Sequence, residues 1–388
     1  MKPLRLILWV LIALSLIVGA WGVYDRLVNG HENTTYGSYV VWGLWVAMYL
    51  FLVGTAAGTF FFATLDYLFR VKLFQGTGRL ALFATLITLG AGLLHIWFDL
   101  GHMERIWKVY TRPNPQSVMA QIVWGYTLFG LLVLVMLAIA LRPQYRASAG
   151  GGDGRRWLAL LSALGLPLTL FLSGGVRALL GVEISRPFWH VGLFPVQFPV
   201  FSLASGVALM LVIIGLFGDA SNPQQAQQLR VLAIATIVLQ VVKLYFLWAD
   251  YSQSLYGGLP QNVAAINAVL FGPYWWAFWI LQILLGSLVP IFILVLPGVA
   301  RRPAWTGVAG ALILFGFAVA RANIVFPALT VPEIEALQQA FSDPRLQFAY
   351  FPSPMEWALS IGILGAAAAA FLLGYTWLRL SVVQQEVA

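Results

Sequence analysis

The stretch "HIWFDLGH", residues 95 to 102, combines apolar side chains with groups that move protons. His95, Asp99 and His102 fall at i, i+4 and i+7, which puts them on one face of a helix. A carboxyl and an imidazole on one face can take up and release protons in acid–base chemistry. Further along, Lys243 and Asp250 are two helical turns apart on a shared face, and Arg177 and Arg321 stand in apolar runs. Ionisable side chains inside hydrocarbon are costly, so each marks a functional site or a buried pair by default. The competing explanation is snorkelling, in which a long side chain near a helix end reaches the headgroups. Side chains lean toward the N-terminus of their own helix, so Arg177 and Lys243 point away from the nearer surface. A pocket-lining role follows for Arg177, Lys243 and Asp99. For Asp250 and Arg321 an interfacial salt bridge explains the charge equally well.

The elements that position these residues are hydrophobic spans. The chain has 388 residues, 61% hydrophobic and 9% charged, where a soluble domain carries about 25% charged residues. Runs able to cross a hydrocarbon core of roughly 30 Å lie near 4–23, 40–69, 79–99, 118–141, 157–181, 194–217, 228–250, 267–297, 304–324 and 357–379. The expected fold is all-α, a polytopic transmembrane bundle of about ten helices forming a single integral membrane domain over 1–388. Helices two to five and six to nine would form two four-helix bundles, flanked by the first and the last. The first run follows Lys2 and Arg5 as a signal peptide would. It lacks an A-x-A cleavage site and carries Trp21 and Tyr24 as interface anchors, so it is read as a retained helix. Gly54 and Gly58 form a G-x-x-x-G, read as close helix packing.

Loops alternate in charge. With the N-terminus inside, inner segments hold Lys2, Arg5, Arg70, Lys72, Arg79, Arg142, Arg146, Arg155, Arg156, Arg230, Arg301, Arg302 and Arg379. Outer segments hold only Arg26, Arg105, Lys108, Arg112, Arg186 and Arg345. The positive-inside bias places both termini in the cytoplasm of a multi-pass protein in the cell membrane. The longer connections, 100–117, 251–266 and 322–356, then lie outside, where long loops carry function or docking surfaces. The formal +8 charge reflects topology and anionic membrane lipid, and no basic domain for nucleic acid exists. There is no cysteine, hence no thiolate-held iron–sulfur cluster and no disulfide. Of His31, His95, His102 and His190 only His95 is well inside a span, so no facing imidazole pair is available for haem. No haem or metal is expected in this chain, and cluster chemistry belongs to a partner.

Four segments in order carry a resemblance to a known family. Asp99, Leu100, Gly101, Arg105, Trp107, Pro113, Asn114, Ser117 and Met119 resemble a "DLG…R.W…PN..S.M" signature. "VWGLWVAMYLFLVGTAAG" is similar to a first bundle helix, "SRPFWHVGLFPVQF" to an "RP-x-W…LFP" segment, and "YFPSPMEWALSIG" to the end of a ten-helix, HybB-like branch. The family is that of the NrfD/PsrC-type membrane subunits of respiratory oxidoreductases. The resemblance implies a quinone-reactive anchor subunit that exchanges electrons between menaquinone or ubiquinone and an extracytoplasmic, ferredoxin-like iron–sulfur subunit. That subunit in turn serves a catalytic molybdopterin enzyme or a hydrogenase. On this reading Asp99, Tyr49 and Arg177 hold the quinone, His95, Lys243 and Asp250 relay protons, and Arg105, Arg112, Asn114 and Ser117 dock the partner. Where the family pocket has a His on the first bundle helix this chain has Tyr49; where it has a Tyr near the end of the fourth, Ser173 to Gly175 stand, with Arg177 close by.

A secondary transporter of ten helices would also bury charges, but it should break its helices at the bilayer midplane and work alone. The gathering of ionisable groups toward one face and the long outer loops favour the redox anchor. A purely structural anchor would not need Lys243 or Arg177 in the membrane.

Overall fold

The computed structural model describes residues 2–142, 153–183, 185–190, 194–218, 222–297, 302–334, 336–341, 343, 345–378 and 380. Among them there is no strand, and ten helices are long and apolar enough to cross a membrane. These are α1 (Lys2–Asn29), α2 (Leu44–Tyr67), α3 (Gly78–Asp99), α4 (Val118–Leu141), α5 (Asp153–Gly181), α6 (Phe194–Phe217), α7 (Pro223–Gly257), α8 (Ala277–Val295), α9 (Pro303–Thr330) and α10 (Pro354–Trp377). Odd-numbered helices run toward one end of the bundle, the Asp99 end, and even-numbered helices run back. The end of α1 meets the end of α3 there through Arg26, and the start of α2 meets the start of α10 through Trp45. At the opposite end the Tyr375 hydroxyl of α10 reaches the Phe217 carbonyl of α6.

Helices α2 to α5 pack as one group and α6 to α9 as a second, with α2 against α6 as the seam. The expected G-x-x-x-G forms that seam: a Cβ on Gly58 would overlap the Ser202 carbonyl oxygen. Only glycine lets the two backbones touch. Helices α1 and α10 pair with each other, again through glycine, since a Cβ on Gly362 would overlap Gly19 Cα, and α10 lies along α3.

Three features differ from the expected boundaries. Helix α7 continues to Gly257 and α9 to Thr330, and a short helix fills Pro260–Leu270, so much of 251–266 and the start of 322–356 is helical. Polar side chains do not stop a helix; α7 ends where Gly258 takes φ +65, a left-handed cap suited to glycine. The eighth run breaks near Gly272, and α8 is wound as a π-helix over Ala277–Leu288. Arg26, expected on the outer surface, is buried.

Candidate functional site

Asp99 closes α3. The carbonyls of Phe98 and Leu100 accept hydrogen bonds from the Arg26 guanidinium, at 2.8 Å from Nε and 2.7 Å from Nη2. A helix C-terminus leaves carbonyls unpaired and favours a cation there, so the end of α1 is drawn over the end of α3. The α1–α2 loop then folds back. Its His31 and Tyr36 rings are 5.5 Å apart, and the Trp45 ring at the start of α2 lies 6.0 Å from Tyr36 and 6.1 Å from His31.

Helix α10 supplies the other wall. "SPME" is a capping box in which Ser353 and Glu356 satisfy each other's backbone amides. Glu356 does more than cap. Its Oε1 accepts from Thr35 N and Thr35 Oγ1, both at 3.1 Å, and its Oε2 accepts from the Tyr350 hydroxyl and from Leu44 N. Trp45 Nε1 donates to the Glu356 carbonyl at 3.1 Å. The α1–α2 loop and α2 are thereby tied to α10, and the result is a polar cup at the bundle end.

Asp99 lies in this cup beside Tyr36, Glu356 and Arg26. Tyr36 and Asp99 are hydrogen-bonding neighbours there, and Asp99 Oδ1, the Tyr36 hydroxyl oxygen and His31 Nε2 are enclosed without a partner at close hydrogen-bond geometry. Native proteins leave few such atoms, and each one left without a partner costs about 1–3 kcal/mol. Asp99 with Tyr36 and His31 nearby brings acceptor and donor groups together at one buried carboxyl. Burial pushes the Tyr36 hydroxyl up, and the Asp99 and Glu356 charges push the same way, so it stays a phenol and donates. Burial, with Arg26 second, lowers His31 below the usual imidazole range and keeps it neutral, one nitrogen donating and the other accepting.

His95 sits one turn deeper on α3. Its Nδ1 bonds to the Ala91 carbonyl at 2.8 Å, so Nδ1 donates and Nε2, enclosed without a close partner, is left as an acceptor. Tyr49 is elsewhere. It faces Tyr126 edge-on at 6.1 Å in the bundle interior, and Tyr126 lies in the field of Arg321, whose guanidinium stacks 3.9 Å from the Phe198 ring centre. Arg321 thus makes a cation–π contact where an interfacial salt bridge was one expectation. The backbone of Arg177 is helical in α5, but its side chain lies outside the described residues.

Lys243 is in the second bundle, fully buried, donating to Ser287 Oγ at 2.8 Å and lying 4.7 Å from the Phe317 ring centre. Beside it Asn323 donates to Gln282 at 2.7 Å. Lys243 and Asp250 line one cavity of about 20 Å³, room for a single water. On the loop after α3, Arg105 and Arg112 are exposed, with Trp107 and Tyr110 exposed beside them. Asn114 and Ser117 have local work: Asn114 Oδ1 accepts from Gln116 N at 3.1 Å, and Ser117 Oγ caps α4 by accepting from Ala120 N at 3.3 Å. Sequence reading missed Arg26, His31, Tyr36, Tyr350 and Glu356. The only signal was the capping box around Glu356, and that pattern alone reads as a helix start.

A ten-span helical bundle with a polar cup at one end defines a multi-pass membrane protein. The chain belongs to the NrfD family: a family model described as "Polysulphide reductase, NrfD" matches residues 30–333. It is 29% identical to a selenate reductase subunit of Mesobacillus selenatarsenatis, over 96% of this chain and 93% of that protein. It is 23% identical to the menaquinone reductase integral membrane subunit of Nitratidesulfovibrio vulgaris, over 99% and 94%. To a polysulfide reductase chain of Wolinella succinogenes it is 26% identical, over 75% and 95%. Helices α1 and α10 fall outside the family match, yet both build the cup.

Proposed function

We propose that this chain is the quinone-reactive membrane anchor of a respiratory oxidoreductase. It exchanges electrons between the membrane quinone pool, menaquinone or ubiquinone, and an extracytoplasmic ferredoxin-like iron–sulfur subunit. That subunit serves a molybdopterin enzyme or a hydrogenase. The observation that carries the reading is the cluster of buried polar groups at Asp99, with Tyr36 hydrogen-bonding to it, Arg26 and Glu356 beside it and the His31 ring against Tyr36. A quinone carbonyl needs a donor, which Tyr36 offers; a quinol hydroxyl needs an acceptor, which Asp99 and His31 offer. The names of relatives, a menaquinone reductase subunit among them, point the same way.

Quinone plus two electrons and two protons gives quinol, and the reverse step releases them. Asp99 is the group proposed to pass one of those protons, with His95 a turn deeper as relay. Tyr36 and His31 orient the head group, and Trp45 walls it. Tyr49 and Arg177, the head-group donors expected from the sequence, become residues of the first bundle whose part is secondary to Tyr36. Lys243 and Asp250, with space for one water between them, are the proposed route for any proton movement through the second bundle. The charge bias of the loops supports both termini in the cytoplasm, and on this reading the Arg105–Arg112 loop faces the iron–sulfur subunit. A transporter would need broken helices at its site; α2, α3 and α10 around Asp99 run without interruption, and the break near Gly272 belongs to the eighth run.

In the assembled complex, Asp99→Asn keeps the shape and removes the titration. Quinone-linked turnover should fall at least 100-fold while turnover with a soluble artificial dye at the catalytic subunit stays within twofold. Normal quinone-linked turnover in a correctly assembled variant would sink the assignment.

A further inference from the structure

The cup is built by α1, α2, α3 and α10, and the same four helices, joined by α6, line a cleft of about 480 Å³ further along the bundle. An engineered cavity of about 150 Å³ already holds benzene, so this one has room for an extended hydrocarbon. Its lining includes Leu11, Leu52, Ala91 and Ala368. The polar side chains in the lining, Ser15 and Thr88, spend their hydroxyls on their own helices, at 2.7 Å to the Leu11 carbonyl and 2.8 Å to the Ala84 carbonyl. Nothing in the cleft asks for a polar ligand.

The cleft and the cup share helix faces. On α3, Thr88, Ala91, His95 and Asp99 follow at three- and four-residue steps, one face, and Ala91 is roughly 12 Å from Asp99 at about 1.5 Å per residue. On α2, Leu52 follows Trp45 by two turns. The hinge between the two spaces is the bond from His95 Nδ1 to the carbonyl of Ala91, a residue that lines the cleft. Helices α1 and α10, which lie outside the family match, close this cleft against α2, α3 and α6 of the shared core. A space of this size within hydrocarbon depth is filled by hydrocarbon, because an empty one forfeits the dispersion contacts of its walls.

Resting on the quinone reading above, the geometry points to this cleft as the binding site for the polyprenyl tail of the quinone whose head group sits in the cup. The tail runs from the Asp99 cup along the α2–α3 face and beds between α1 and α10. Tail length thereby contributes to substrate selection.

The test uses the complete complex in vesicles, with a long-tailed quinol and a tail-less water-soluble quinol compared in the same preparation. Ala368→Phe fills the cleft from a helix face away from the cup, and Ala368→Leu is a milder version. The ratio of kcat/KM for long-tailed over tail-less quinol should fall at least tenfold in Ala368→Phe and about threefold in Ala368→Leu. The amount of long-tailed quinone that co-purifies should fall with it, at constant phospholipid content. An unchanged ratio with loss of one tightly held phospholipid would overturn the proposal in favour of a lipid acyl chain. An unchanged ratio with no loss of either would overturn it outright. Wild-type complex that turned over neither quinol would instead defeat the quinone reading, and Asp99→Asn should lower both rates together.

Discussion

The Asp99 cup and the Lys243 layer each bury ionisable groups, and they differ in how those groups are satisfied. Lys243 has Ser287 at 2.8 Å and the Phe317 face at 4.7 Å, and its neighbours Gln282 and Asn323 bond each other at 2.7 Å. In the cup, Asp99 meets Tyr36, Arg26 and Glu356, and Glu356 itself holds a full set of donors. Enclosed atoms without a close partner occur in both regions, among them Tyr36 Oη and His31 Nε2 in the cup and both amide atoms of Gln240 one turn before Lys243. Burial alone therefore does not single out a binding site. What sets the cup apart is that a carboxyl, a phenol and a guanidinium from separate segments meet at one buried point, whereas Lys243 meets a hydroxyl and a ring of its own bundle.

The seam that shapes the cup should give the largest effect. Gly362→Ile places a branched side chain where even a Cβ would overlap Gly19 Cα, which forces α1 from α10 and pulls Arg26 off the end of α3. Correctly assembled, quinone-active complex should drop more than tenfold on a size-exclusion column, while an exposed change on α10 such as Leu373→Ile leaves it intact. Next, Arg105→Glu with Arg112→Glu reverses charge at the exposed loop after α3. The iron–sulfur subunit should wash from membranes at physiological salt with the anchor still inserted, and unchanged retention would move the docking surface elsewhere.

A double-mutant cycle sharpens the second half of the comparison. Ser287→Ala leaves the buried Lys243 amino group without its hydrogen-bond acceptor and should destabilise by about 1–3 kcal/mol. Lys243→Met removes the buried amino group and should be close to neutral, because an apolar side chain of similar volume often replaces a buried polar or ionic group without loss. The pair together should cost less than the sum of the two. Thermal unfolding in detergent reads all three, and strict additivity would mean that the Lys243–Ser287 contact carries no energy.

The smallest effect is in pH. Burial and Arg26 lower the His31 pKa in the folded chain, so the unfolded state binds its proton more readily. Its contribution to stability is present above the unfolded imidazole value of about 6.5 and is lost as pH falls through the lower, folded value. Melting temperature should decline over that acid range, and less steeply in His31→Gln. Equal slopes would show that His31 is not buried as a neutral ring.

How much of this was legible before the fold was known depends on the range of the interaction. The spans were legible because hydrocarbon thickness dictates their length, and Asp99 and His95 were legible because a helix imposes their spacing. Gly54 and Gly58 announced a close seam and made one with Ser202. The cup was not legible, since His31 and Tyr36 come from a loop and Glu356 from the other end of the chain, and no local period links them. The family resemblance and not a local period points to Tyr49, which faces Tyr126 in the bundle interior. Asn114 and Ser117 read as docking residues, and each has a local turn or cap to explain it.

The most direct test of the central claim is to locate the head group. A tail-less azidobenzoquinone, photolysed on the complete complex and followed by peptide mapping, reports which region it contacts. Label is expected on the segment from His31 to Trp45 and on the peptide containing Asp99, displaced by excess quinol. Label confined to peptides holding Lys243, Asp250 and Gln282, with the Asp99 end clean, would contradict a head group held in the cup.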